Sequence, residues 1–275
     1  MRTVYLGTSG FAASVLERLA DGPHRPVLVV TRPDRPAGRG RRLSSPPVAD
    51  TARALGVELD QPEDVNAPEA RARIAAAEPD AVIVCAFGAL LEEPLLSDFE
   101  LLNLHPSLLP RWRGAAPIER AIMAGDAETG VSIMQVTAGL DSGPVCLTAV
   151  EPIGPADTYG TLAPRLEALG SELLVRALEE RPPYVEQDEA EVTYAEKVSA
   201  DDRTLDPDAP AEEQARVVRA LSPHIGARLR LADGSFLGVR DARVGEDGAL
   251  ELVEVQPAGG RPMPYADWRR GHAAR

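Results

Sequence analysis

Short apolar runs alternate with longer amphipathic segments through the first two-thirds of the chain, a pattern that predicts repeated strand–helix–strand units around a parallel sheet. Thr3–Leu6, Val27–Thr31, Ala81–Ala86 and Leu101–Leu104 are short and almost wholly apolar, as strands buried on both faces must be. Between them the spacing of alanine and leucine predicts helices over Ala12–Ala20, Pro47–Leu55, Pro68–Ala77 and Ala115–Ala124. Val131–Val136 and Pro144–Val150 read as two more strands joined by a loop containing Gly and Asp, and Thr158–Glu180 as a long amphipathic helix. Residues 1–187 therefore form one α/β domain with a mostly parallel sheet.

The pattern then changes. From Gln187 to Pro210 the chain is polar and acidic with few apolar side chains, so residues 188–209 read as a linker with extended pieces. Pro210–Leu221 is helical in pattern, and Ala227–Leu231, Phe236–Val244 and Ala249–Val255 have strand propensity around the turn signals Asp233-Gly234 and Glu246-Asp247-Gly248. Residues 210–275 thus form a small β-rich, barrel-like domain. Three strands make a poor barrel alone, because their edges stay open unless they pair or pack elsewhere.

Composition narrows the function. A net charge of −14 over 275 residues argues against broad nucleic-acid binding, which needs a basic surface to neutralise phosphates. One segment departs from this. The run TRPDRPAGRGRRL (Thr31–Leu43) carries Arg32, Arg35, Arg39, Arg41 and Arg42 against Asp34 alone, a local +4 on which a polyanion can bind. No stretch approaches the ~20 apolar residues of a membrane span, and the opening Met1–Gly7 lacks the long apolar run of a signal peptide, so a cytoplasmic protein with no membrane partner is expected. Cys85 and Cys146 lack zinc or disulfide spacing and read as small core residues; no metal is expected.

Candidate chemistry sits where strands end. Leu101–Leu104 leads into Asn103-Leu104-His105, and alternation places the amide and the imidazole on one face at the carboxyl end of a strand, where open α/β sheets bind ligands. Asp141, in Thr137-Ala138-Gly139-Leu140-Asp141-Ser142-Gly143-Pro144, supplies an acid in a loop whose glycines admit close approach of backbone. Taken alone, Asn103 and His105 could merely terminate a strand and Asp141 a turn. Ser107 has no Gly-x-Ser-x-Gly elbow around it, which removes a serine hydrolase. Gly7-Thr8-Ser9-Gly10 lacks the third glycine and the spaced acid of a dinucleotide fingerprint and reads as a tight strand-to-helix turn. His24, His224 and His272 have no supporting pattern and read as surface or loop histidines, and Trp112 and Arg113 as residues that pack and cap the following helix beside the site rather than touch substrate.

The Asn-x-His pair, the later Asp141 and the segment Ser107–Ile118 (SLLPRWRGAAPI) together resemble the 10-formyltetrahydrofolate-dependent formyltransferases, and within that family the tRNA-formylating branch more than the glycinamide ribonucleotide or sugar-nucleotide branches. The arginine run is similar to the inserted loop of that branch, and Val192–Lys197 (VTYAEK) to the junction before its C-terminal domain. The resemblance implies a Rossmann-like catalytic domain and direct formyl transfer from 10-formyltetrahydrofolate to the α-amino group of methionyl-initiator tRNA. It implies catalytic roles for Asn103, His105 and Asp141, and a folate pocket lined by Ser107, Leu108, Leu109, Pro110, Phe87, Gly88, Gly139 and Leu140. It also implies tRNA contacts from Arg35, Arg39, Arg41 and Arg42, and a monomer.

The three catalytic candidates suit that chemistry on their own terms. Attack of an amine on a formamide carbon builds an oxyanion, for which the Asn103 N–H is a donor; His105 either donates to it or takes a proton, and Asp141 orients His105 and relays protons. Three departures stand out: residues 224–275 are fewer than the family's C-terminal domain needs, with strands missing between Ala242 and Leu250; Glu119 replaces a polar uncharged residue; and Ser9-Gly10 replaces a Pro-containing pair. From Asp188 onward 17 acids face 12 bases, a net of −5. Formylation of a small amine such as an amino-sugar nucleotide, and an inactive folate- or RNA-binding relative, are the alternatives.

Overall fold

The computed structural model of the protein describes residues 1–37 and 42–272. In chain order it contains β1 (Thr3–Gly7), α1 (Gly10–Ala20), β2 (Pro26–Val30), β3 (Arg35–Ala37), β4 (Arg42–Ser44), α2 (Pro47–Leu55), β5 (Glu58–Asp60), α3 (Pro68–Ala76), β6 (Ala81–Cys85), α4 (Leu95–Asp98) and β7 (Leu101–His105). These are followed by β8 (Arg113–Gly114), α5 (Pro117–Ala124), β9 (Glu128–Gln135), β10 (Val145–Pro152), α6 (Tyr159–Glu180), β11 (Tyr194–Ala195), α7 (Ala211–Leu221), β12 (Ala227–Arg230), β13 (Phe236–Val244), β14 (Leu250–Gln256), β15 (Met263–Pro264) and α8 (Tyr265–His272).

Seven strands form one sheet in the order β10-β9-β7-β6-β1-β2-β5. β1, β2, β5, β6 and β7 run parallel, whereas β9 lies antiparallel to β7. The central strands β1 and β6 are buried along their whole length, which is why their sequences are unbroken apolar runs. One core cluster unites Val4, Leu6, Leu28, Val30, Val82, Val84 and Leu101 with Ile74 and Leu95 from neighbouring helices. The turn Gly7–Gly10 is the tight strand-to-helix connection its sequence predicts: Ser9 caps α1 by accepting from the Ala12 N–H at 3.2 Å. At Gly7 a Cβ would lie 2.7 Å from the Tyr5 ring and 3.1 Å from the Cys85 carbonyl, so only glycine fits between β1 and β6.

Several elements escape the sequence pattern, each for a physical reason. β5 pairs only with β2 at the sheet edge and reads Glu-Leu-Asp, because an edge strand needs no continuous apolar run. β3 and β4 are three residues each and pair only with one another, and all of β4 is exposed, so neither needs an apolar run. α8 buries no residue, so its sequence carries no apolar stripe. Cys85 is buried as expected; Cys146 on β10 is only half-buried.

The chain divides into two compact units, Met1–Arg113 with Gly130–Glu151 and Pro164–Thr193, and Gly114–Thr129 with Pro152–Ala163 and Tyr194–Arg275. In the second unit β12, β13, β14 and β15 form an antiparallel sheet in that order. A parallel bridge from Thr204 to Arg228 covers the β12 edge, and β15 with α8 covers β14, so the open edges foreseen for three strands are partly closed. Residues 245–249 make the turn between β13 and β14, closed by the Gly245 N–H to Ala249 carbonyl bond of 2.8 Å. α7 presents Val218 and Leu221 to Leu205, Ala227, Val239 and Ala242. Arg120 binds Asp202 through two parallel hydrogen bonds of 2.8 and 3.0 Å. Glu119 accepts from His224 Nε2 at 2.9 Å, and the His224 ring stacks on Tyr159 with centroids 3.7 Å apart, so His224 is a packed and paired residue.

Candidate active site

β7 carries two of the candidates. Leu104 is 1% exposed and points into the core, so alternation directs Asn103 and His105 to the other face, Asn103 half-buried and His105 buried. Asn103 lies opposite Met134 and His105 opposite Ser132 on β9. Beyond His105 the chain folds back tightly: the Ser107 N–H donates to the His105 carbonyl at 2.9 Å, and the Ser107 hydroxyl donates to the Arg111 carbonyl at 2.6 Å. Ser132 Oγ donates to the Ser107 carbonyl at 2.8 Å and accepts from the Leu109 N–H at 3.1 Å. Ser107 is therefore a buried fastener of the loop.

The loop after β9 brings Asp141 to the same place. Gly143 makes this possible, because a Cβ there would fall 1.9 Å from the Gln135 carbonyl oxygen. Asn103 Nδ2 stands 3.4 Å from Asp141 Oδ1, and His105 Nδ1 stands 3.6 Å from Asp141 Oδ2. One carboxylate thus faces both the amide and the imidazole, at separations longer than formed hydrogen bonds and typical of catalytic groups that tighten with substrate in place.

His105 Nε2 lies 2.8 Å from the Trp112 carbonyl. A carbonyl oxygen only accepts, so Nε2 carries a hydrogen, and Nδ1 is the nitrogen that faces Asp141. The side chains are 5% and 19% exposed for His105 and Asp141, which puts the acid in front and the imidazole behind it.

Two backbone positions here are left-handed without being glycine: Asp141 at φ 45° and Trp112 at φ 66°. For a residue as bulky as tryptophan that conformation is a true outlier, and it persists only where neighbours enforce it. The enforcing groups come from Gln187–Thr193. Gln187 Nε2 donates to the Asp141 carbonyl at 2.8 Å and to the Gly143 carbonyl at 2.7 Å. Its Oε1 accepts from Arg113 Nε at 2.9 Å. Arg113 is buried, and its guanidinium pairs with Glu189, whose carboxyl is held below its ordinary range by that hydrogen bond. Thr193 Oγ1 accepts from the Trp112 N–H at 2.9 Å, and the Thr193 carbonyl from the Arg113 N–H at 2.9 Å. Gln187 and Thr193 are absent from the sequence-level site; only the Val192–Lys197 motif hinted at this segment.

The remaining candidates fall out unevenly. Leu108, Leu109 and Pro110 are half-buried along the loop that follows His105, and Gly139 and Leu140 are exposed beside Asp141. Phe87 is 4% exposed and its ring belongs to the sheet core, so its backbone, which receives the Thr8 hydroxyl at 2.6 Å, is what it presents at this end of the sheet. Gly88 accepts from Arg32 at 3.1 Å. Arg35 pairs with Glu63 at 2.6 Å on the surface, Arg42 is exposed on β4, and Arg39 and Arg41 lie outside the described residues. His24 lies in the turn between α1 and β2, as a loop histidine would, but it is buried at 5% exposure beneath the chain start, where it meets the Met1 amino group at 3.1 Å. Among the described residues no cluster of His, Cys, Asp and Glu could hold a metal, and no helix is long and apolar enough to cross a membrane.

Comparison with known proteins places these features. Residues 1–178 match the family model described as formyl transferase. The chain is 42% identical to the methionyl-tRNA formyltransferase of Halorhodospira halophila over 98% of its own length and 96% of that relative's. That alignment spans 299 positions against the 275 residues here, so the relative has residues that this chain lacks. Among solved structures, methionyl-tRNA formyltransferase from Clostridium thermocellum superposes with a TM-score of 0.65 over 96% of this chain and 99% of that one, at 14% identity. HypX from Aquifex aeolicus in complex with tetrahydrofolic acid superposes with a TM-score of 0.69 over 98% of this chain and 47% of that one, at 17% identity. At such identities the likeness is one of fold.

Proposed function

The chain belongs to the formyl transferase family, in company with methionyl-tRNA formyltransferases, and from that premise we propose that it transfers the formyl group of 10-formyltetrahydrofolate to the α-amino group of methionyl-initiator tRNA. The observation that carries the reading is the meeting of Asn103, His105 and Asp141 within 3.4–3.6 Å at the carboxyl end of β7. The surroundings fit a flat, partly apolar donor: Leu140, 62% exposed beside Asp141, and the half-buried Leu108, Leu109 and Pro110 offer apolar surface next to a polar trio.

Each residue then has a task. The amine nitrogen forms a bond to the formyl carbon, and negative charge moves onto the formyl oxygen. Asn103 donates its amide N–H to that oxygen, an interaction of about 3 kcal/mol where the donor is well placed. Asp141, the more exposed of the pair, accepts the proton shed by the attacking nitrogen, with His105 Nδ1 behind it sharing the charge. The same proton passes to the departing folate nitrogen as its bond to the formyl carbon breaks, leaving formyl-methionyl-tRNA and tetrahydrofolate. No covalent enzyme intermediate is needed.

For the tRNA, the net charge of −14 confines phosphate contacts to the local arginine run, where Arg42 is exposed and Arg35, Arg39 and Arg41 complete the cluster in sequence. The test is direct: purified protein with 10-formyltetrahydrofolate is expected to convert charged initiator tRNA to its formylated form, and charged tRNA left unformylated at high protein concentration contradicts the proposal.

A further inference from the structure

The trio is not self-supporting. Asp141 sits on a left-handed residue in a loop, and His105 is oriented by a carbonyl that belongs to another left-handed residue, Trp112. Neither peptide would keep that conformation unaided. Both are held by one short segment, which belongs to the stretch that composition alone marks as linker.

We propose that Gln187–Thr193 is the positioning element of the active site, with Gln187 setting the Asp141 carboxylate and Thr193 setting the Trp112 carbonyl that orients His105. The inference rests on the catalytic reading given above. Its strongest support is that the Gln187 amide has one possible orientation. Arg113 Nε only donates, so Oε1 must face it; the carbonyls of Asp141 and Gly143 only accept, so Nε2 must face them. Both amide hydrogens are thereby used on the loop that presents the acid. Arg113 in turn is fixed by two bonds to Glu189, two residues along the same segment, at 2.7 and 3.3 Å. At the other end, Thr193 grips Trp112 from both sides: its hydroxyl accepts from the Trp112 N–H and its carbonyl from the Arg113 N–H of the Trp112–Arg113 peptide, both at 2.9 Å. The segment therefore closes a circuit that runs from Asp141 through Gln187 and Arg113 to the Trp112 carbonyl and so to His105. A shift in the segment moves the acid and the imidazole relative to each other, the separation on which proton sharing depends.

Gln187→Glu isolates this role. The shape is retained and the attraction to Arg113 grows, but the two donors are replaced by an oxygen that repels the Asp141 and Gly143 carbonyls. Formylation is measured for wild type, Gln187→Glu, Asp141→Asn and the double variant. The expected result for Gln187→Glu is a kcat lowered about 10- to 100-fold with KM for 10-formyltetrahydrofolate within about twofold. The double variant should be no slower than Asp141→Asn alone, because Gln187 acts through Asp141. Gln187→Met carries the same expectation should Gln187→Glu fail to fold, and Thr193→Val should likewise lower kcat. Wild-type kcat in a folded Gln187 variant, or losses that multiply in the double variant, overturn the inference. If Asp141→Asn itself retains wild-type activity, the catalytic reading fails instead, so the two failures are distinct.

Discussion

A single carboxylate serves two partners at the proposed centre: one Asp141 oxygen faces the Asn103 amide and the other faces His105 Nδ1. Asn103→Asp is therefore expected to be slower in formylation than Asn103→Ala, although it is the closer isostere. It removes the donor and also places a second negative charge about 3.4 Å from the first. Comparison of single-turnover rates decides the point, and a faster Asn103→Asp contradicts the assigned donor role. Residues elsewhere in the sheet should be silent. The Cys85 thiol is fully buried, and burial pushes it up to about 12, so a thiol reagent at pH 8 is expected to label it only in denaturant; rapid labelling of the folded protein would show a looser core. At this scale Asn103 and His105 were legible because strand alternation fixes which side chains share a face. Asp141 was legible only in company with them. Gln187 was not, since a glutamine opening an acidic, polar stretch carries no periodicity, and its importance lies in three hydrogen bonds to residues between 44 and 74 positions away.

Among elements, the central parallel strands announced themselves because burial on both faces demands apolar runs, whereas β5 lies at the sheet edge, β4 is exposed and α8 buries no residue, so none of these is under that demand. The link between α5 and the segment before α7 is electrostatic. Arg120 holds the Asp202 carboxyl well below its ordinary value of 3.8, by two hydrogen bonds and by charge. A depressed folded-state value means that the contribution is complete above pH about 4, where the unfolded carboxyl is also ionised, and is lost as pH falls below it towards the folded value. Asp202→Asn is thus expected to lower Tm at pH 7, with the gap to wild type narrowing below pH about 4. A gap that is constant from pH 7 to pH 3 would mean that the ion pair contributes nothing specific.

For the whole molecule, the problem is how a protein of net charge −14 holds a polyanion. In the proposed reading that task falls to the arginine run, so replacing Arg39, Arg41 and Arg42 together with alanine is expected to raise KM for tRNA while leaving KM for folate unchanged. The salt dependence of kcat/KM should also flatten, by roughly 0.7–0.9 in log–log slope for each phosphate that is no longer neutralised. An unchanged salt slope would move the RNA-binding surface elsewhere in the chain. Formyl transfer at Asn103, His105 and Asp141 is the narrower and central claim. Its most direct measurement is the single-turnover formylation of charged initiator tRNA by wild type, Asn103→Ala and Asp141→Asn at saturating 10-formyltetrahydrofolate. Rapid formylation by the wild type is expected, with a loss of about 100-fold or more in each variant and folding intact; formylation at the wild-type rate in either variant would contradict the claim.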